Sequence, residues 1–487
     1  MIDGKNGLLP ILTFDATDDW QALLILAQPE LDSAGLKRLK QALEEKAKSV
    51  AVERHYIDKD YRDTFSSFHS KRFSTPGSRC LRLHFFSRMV TRDEIKHAAE
   101  IQKDYLGYAI IRPTRPNCLG RTLLKPESRN GTSGSMRLCQ EKITLQGTDL
   151  DVRGFPFISQ DADVTVCAQS ALWMLVRYYS NTYPLYPETY PYQLAKLTED
   201  YSLGRWYPSA GLYVWQMTEA LRRLGFSPVT YSRSHFPAEF DHYLYTYIES
   251  GIPVLAATKR HAIVAFGHVS EYVQPKVTPT DITFSSQFNH AFVVNDDNRV
   301  PYQFLRDTKQ GTENESKFEF KDVESFVAPL AEKIFLPAES FQKVVMTILR
   351  RGDVGYKALS ATLSSAPLVL RLFLTTSRSF KKRLAERGMG NAVVENVYRN
   401  LPLPHFCWVC EISLMEDYLN QKIHGEILWD ATRNASEPDG WNVVHYPEVL
   451  IVDVGSALNR AQQLQKFPLQ NSQVYPLYRS NLLSIQT

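Results

Sequence analysis

The sequence predicts an α/β chain of the α+β kind, and three observations carry that reading. Apolar residues recur with helical period between Ala168 and Tyr179. A block of β-rich runs bounded by turn residues follows between residues 252 and 295. Both patterns return on either side of that block. A chain of 487 residues is too long for one ordinary core. It divides, on pattern, into an N-terminal α/β domain (residues 1–150), a core (residues 151–322) and a C-terminal helical and β extension (residues 323–487).

Taken in order, residues 31–50 read as a helix with Lys and Glu interleaved, residues 82–87 as a strand, 92–102 as a helix and 105–112 (YLGYAIIR) as a strand. Residues 113–135 carry Pro, Gly, Asn and Ser and read as loop. The arginines there, Arg112, Arg115, Arg121 and Arg129, form either an anion cradle or a solvated basic loop, and the absence of a phosphate-binding glycine pattern favours the second. Residues 142–152 look like a strand pair. The helix from Cys167 follows, then a Tyr/Pro-rich connection and helices at 213–224 and 239–250. Strands are expected at 252–257, 261–266, 282–285 and 290–295. From about residue 326 the pattern turns helical, at 338–350, 368–375 and 379–387, before strands at 406–415, 425–430 and 449–454.

The bulk numbers exclude several classes. A 44% hydrophobic and 22% charged composition is that of a globular chain, and a formal net charge of +3 gives no general argument for nucleic acid or membrane. No apolar run reaches the roughly 18 residues of a membrane span, and the N-terminus has no secretory pattern. The 6 cysteines follow no disulfide framework, so a reducing, cytoplasmic setting is expected. Cys407 and Cys410 have Cys-x-x-Cys form, but on a strand they point to opposite faces and no second pair completes a zinc site; no metal or cofactor is expected. The cations Arg350, Arg351, Lys381, Lys382 and Arg383 read as a solvated face more readily than as a partner surface.

The chemistry concentrates around Cys167. It falls in the first turn of its helix, with Asp163 and Thr165 as candidate N-caps, where unpaired N–H groups and the helix dipole favour a thiolate. Gln160 precedes it by a short loop and can put an amide near the sulfur. A thiol nucleophile needs a base, and His261, at the mouth of a strand, is the first choice over His268, His290, His235 and His242. Asp296 and Asp297 leave the strand ending at Asn295 and can orient a histidine on a neighbouring strand. Each residue has a bland alternative: an inert thiol, a strand-edge histidine, an Asp-Asp-Asn turn. The joint order is more specific than any member.

The segments ISQDADVTVCAQSALWM, GIPVLAATKRHAIVAFGH and AFVVNDDN resemble the three motifs of papain-like cysteine peptidases, closest to the bacteriocin-leader-processing branch. The likeness covers residues 155 to 302. It implies a papain-like core, a helix packed on an antiparallel sheet, with Cys167 as nucleophile, His261 as base, Asp296 as orienting acid and Gln160 as oxyanion donor. Ala168 stands where the family usually has Gly and Asp297 where Pro is usual, so Asp297 is kept as the alternative acid. The implied activity is hydrolysis of a peptide or isopeptide bond in a protein or peptide substrate. The long flanks suggest a regulatory partner and a bacterial effector or defence role. Two rivals keep the fold: a catalytically inactive binding or sensor module, and a transglutaminase-like acyltransferase.

Overall fold

The computed structural model describes residues 9–14, 17–27, 30–43, 45–114, 118–128, 131–161, 166–199, 211–272, 275, 281–312, 314–387, 391–434, 441–453, 464–470 and 473–485. Among these the chain forms sheets of five, nine and seven strands and two small two-stranded ones, with helices between them. The fold is mixed α/β. Its pairings are antiparallel except Gln303–Arg306 with Glu315–Glu319 and Ile282–Phe284 with Leu368–Thr376. Among the described residues, no helix is long and apolar enough to cross a membrane.

The N-terminal sheet runs in chain order through Ile11–Thr13, Ser49–Tyr56, Cys80–Phe86, Tyr105–Ile111 and Leu119–Leu124. Two expectations change here. The helix foreseen over residues 31–50 is Ser33–Leu43, and the chain then enters the strand Ser49–Tyr56. Ser49, Val50, Ala51 and Val52 are all buried, and a run buried on both faces loses the alternation that marks a strand. The loop foreseen over 113–135 contains the strands Leu119–Leu124 and Gly134–Met136.

The central sheet is ordered Glu315–Glu319, Gln303–Arg306, Asn289–Asn295, His261–Ser270, Val254–Thr258, Val323–Ala331, Phe226–Ser232. Gly134–Met136 pairs with His261–Ser270 beyond Gly267, and Leu483–Ile485 pairs with Gly134–Met136 in turn. This sheet therefore runs past residue 322 and draws on both flanks. Its strand Val323–Ala331 occupies chain that was expected to turn helical near 326. Phe226–Ser232 carries Pro228 and lies at the sheet edge, where a missing N–H is tolerated. Ala262, Val264 and Phe266 face the helix Cys167–Thr182, whereas Ile263 and Ala265 face the helix Phe240–Glu249.

The seven-stranded C-terminal sheet packs on that second face through Leu368, Leu370, Leu372 and Leu374. These belong to Leu368–Thr376, a strand where a helix was expected. All its residues but Thr376 are buried, and a short apolar run buried on both sides has no period to separate strand from helix. Helices Ser377–Arg387 and Ala392–Asn400 cover the sheet's other face.

Candidate active site

Cys167 is the first residue of the helix Cys167–Thr182. Val166 is the N-cap, in extended conformation, and makes no side-chain cap bond; Asp163 and Thr165 lie outside the described residues. The helix is buried from Ala168 to Tyr179 on every side, not along one stripe. Two of its polar side chains are held from the N-terminal region: Asp60 accepts from Trp173 Nε1 at 3.0 Å and from Arg177 Nη2 at 2.7 Å. At its tip the Cys167 side chain is half-buried, while the other five cysteines are fully buried. Burial raises those five thiols, Cys118 to about 11 and Cys139 to about 12.

His261 opens the strand His261–Ser270, directly after the turn at Lys259 and Arg260 that joins it to Val254–Thr258. The neighbouring strand Asn289–Asn295 runs antiparallel, with Asn295 opposite Val264, so the residues that leave it arrive beside His261. The ring's Nε2–H donates to Asp296 Oδ1 at 2.8 Å, and Asp297 Oδ1 lies 3.3 Å from the same nitrogen. The Cys167 side chain lies near enough to the ring to help raise the His261 pKa. With Nε2 committed to the acids, Nδ1 is the nitrogen left to face the thiol. The structure thus brings Cys167, His261, Asp296 and Asp297 together, with Asp296 the nearer acid.

The electrostatics follow from this packing. Burial alone would lower the His261 pKa, but the hydrogen bond to Asp296, the nearby Cys167 side chain and the charges of both aspartates raise it to about 10. Burial also acts to raise Asp296; the bond and charge of His261 and the Asn298 N–H outweigh it and leave Asp296 below its ordinary value. Asp297 is pushed up to about 7 by burial and by the adjacent Asp296 charge, against the pull of His261, Arg38 and Lys317.

Gln160 joins the same group from the acid side. Its Nε2 donates to Asn298 Oδ1 at 2.7 Å, while the Asn298 backbone N–H donates to Asp296 Oδ1 at 3.0 Å. Asn298 was missed by sequence reasoning, although the Asp-Asp-Asn string was seen as a turn. It is a turn, closed by Arg299 N–H on the Asp296 carbonyl at 2.9 Å, and its side chains build the site as well. Two more residues escaped notice. Phe318 stacks on the His261 ring with centroids 5.6 Å apart, and Arg38 donates to Ser159 Oγ at 3.0 Å and approaches the Asp297 carbonyl at 3.5 Å. Both come from distant chain, so no local pattern announces them.

His261, Asp296 and Asp297 also form the one group among the described residues whose ligand atoms gather within 4.8 Å of one another, close enough for a metal ion. The nitrogen a metal would take is the one bonded to the aspartates.

Other candidates are placed elsewhere. A register shift between Ala265 and Gly267 turns His268 toward Glu249, to which its ring is hydrogen-bonded. His242 is buried against Ser286, and burial lowers its pKa to about 3. His290 lies 3.8 Å from Glu271, and His235 lies edge-on to Phe236. Both readings of the arginines are corrected for the two described, which are neither a solvated loop nor an anion cradle: Arg112 is buried and donates to the Ser159 carbonyl at 2.8 Å, and Arg121 is buried in a strand against Asp58 at 3.1 Å. Arg115 and Arg129 lie outside the described residues. Cys407 and Cys410 are both buried in the strand Phe406–Leu414. Among the C-terminal cations, Lys381 donates to the Arg399 and Leu401 carbonyls and Arg351 pairs with Asp353. The chain has no significant match to any family model, curated protein or solved structure, so its functional reading rests on this geometry.

Proposed function

We propose that the protein is a cysteine peptidase with a papain-like core, hydrolysing a peptide or isopeptide bond. The observation that supports this most is a single imidazole held between a carboxylate and the one partly exposed thiol, at a helix N-terminus. The Asp296 bond fixes the tautomer and ring orientation. With its pKa raised to about 10, His261 holds the thiol's proton as an imidazolium near neutral pH, and the sulfur attacks the carbonyl carbon as a thiolate. The oxyanion is met by the Cys167 backbone N–H and by the second N–H of the Gln160 amide, the first being given to Asn298. His261 then passes its proton to the departing amine as the C–N bond breaks. Water, deprotonated by His261, clears the thioester and restores the thiol.

Labelling tests the reading directly. Iodoacetamide near neutral pH is expected to modify Cys167 selectively, read by peptide mass mapping, with loss of peptide-bond cleavage in step with labelling. Cys167→Ala is expected to abolish cleavage while leaving the unfolding midpoint unchanged. Labelling spread over several cysteines, or sparing Cys167, would sink the peptidase reading in favour of a binding module on the same fold.

A further inference from the structure

A cleft of about 520 Å³ opens at His261. Its rim carries four cations, Lys259, Arg260, Lys317 and Lys321, against the acids Asp322 and Glu324, in a chain whose formal net charge is only +3. Lys321 is paired with Glu319 at 2.6 Å, and the Asp322 carboxylate accepts the Glu319 backbone N–H. Lys259, Arg260 and Lys317 are exposed and make no ion pair among the described residues; Lys317 lies over the Phe318 ring at 4.8 Å. Phe318 is the ring stacked on His261, so the rim begins at the proton-donating residue itself.

We infer that this cleft receives an acidic segment of the polypeptide substrate, on the leaving-group side of the cleaved bond. The inference rests on the peptidase reading of Cys167 and His261. The side follows from the chemistry: the group protonated by His261 is the departing amine, so the chain attached to that amine runs past the histidine and into the cleft beside it. Carboxylates there meet exposed cations that make no ion pair among the described residues, beside the Phe318 ring over which Lys317 lies. Such pairs at a solvated rim govern selection and rate of encounter, and they weaken with salt.

Binding can be measured without turnover, using the full chain carrying Cys167→Ala. A fluorescein-labelled decapeptide rich in Glu and Asp is expected to bind at low salt, to weaken as salt is raised, and to bind at least about tenfold more tightly than its Lys-rich twin. Lys259→Glu with Arg260→Glu, both exposed and so compatible with folding, is expected to weaken the acidic peptide at least about tenfold, with circular dichroism unchanged. In cleavage of mixed peptide pools by the unaltered chain, acidic residues are expected to be enriched after the cleaved bond. Equal affinity for the two peptides, an unchanged affinity in the charge-reversed chain, or tighter binding of a single-stranded oligonucleotide of equal charge would overturn the inference. Cleavage without acidic enrichment would overturn it while leaving the peptidase reading intact. Failure of both cleavage and Cys167 labelling would remove that reading, and the leaving-side assignment with it.

Discussion

Two neighbouring aspartates on one imidazole do not play the same part. Asp296 holds the proton-bearing nitrogen at 2.8 Å and sits below its ordinary pKa, whereas Asp297 is pushed up to about 7. Asp296→Asn is therefore expected to lower cleavage by about 10²–10⁴-fold, the usual worth of a well-oriented acid–base group, with a smaller effect from Asp297→Asn. Their stability effects have opposite signs. The Asp296 contribution is present above its ordinary value of 3.8 and is lost as pH falls through its lowered value. The Asp297 contribution is present below 3.8 and is lost as pH rises through about 7. The His261 contribution is full below 6.5 and is lost as pH rises through about 10. The unfolding midpoint of the unaltered chain is expected to include a loss between pH 4 and 7 that Asp297→Asn lacks; identical profiles over that range would contradict the assignment. At this scale Cys167, His261 and the two acids were legible because each stands at the end of an element whose period or turn residues mark it. Asn298 hid inside a turn that satisfied a simpler explanation. Phe318 and Arg38 were illegible because nothing near them in sequence records what they touch.

The helix that begins at Cys167 is held by the N-terminal region as well as by the central sheet. Asp60 takes both Trp173 and Arg177, and the segment before Gln160 lies along the strand Leu119–Leu124. There Thr122 and Phe157 exchange backbone bonds of 2.9 and 3.0 Å, and Ser159 N–H donates to the Leu119 carbonyl at 3.1 Å. Arg112 adds its bond to the Ser159 carbonyl and sits 3.9 Å from Asp161. Removing Asp60 leaves the buried Trp173 N–H without its acceptor and Arg177 with Glu188 as its remaining acid, a loss of about 1–3 kcal/mol. Asp60→Ala is expected to destabilise the chain by about that amount in urea unfolding; a change within experimental error would show that the helix needs no such anchor. Element boundaries divide along the same physical line. Ala338–Arg350, amphipathic and half-exposed, was readable to the residue, whereas Leu368–Thr376, enclosed by two cores, presented no polar face to read.

At the scale of the whole molecule the three sheets are one construction. Arg371, on the C-terminal sheet, is fully enclosed and binds Glu249 from beneath the central sheet together with Glu411, while the Tyr478 carbonyl accepts from the same guanidinium at 2.7 Å. Residues 151–322 produced alone would keep the Glu249 charge without Arg371 and lose three strands of the central sheet, Gly134–Met136, Val323–Ala331 and Leu483–Ile485. That fragment is expected to show no cooperative thermal transition; a folded fragment with a selectively alkylated Cys167 would refute the dependence. The three-part division read from the pattern of elements could not reveal this, because strand pairing between residues hundreds of positions apart leaves no local trace. The contact between Leu483–Ile485 and Gly134–Met136 also sets an order in time. A ribosome delivers about 5–20 residues per second, so on the order of tens of seconds separate the emergence of the thiol from that of the strand near residue 484. Throughout that interval the newborn chain carries Cys167 while the edge pairing of Gly134–Met136 with Leu483–Ile485 has still to form.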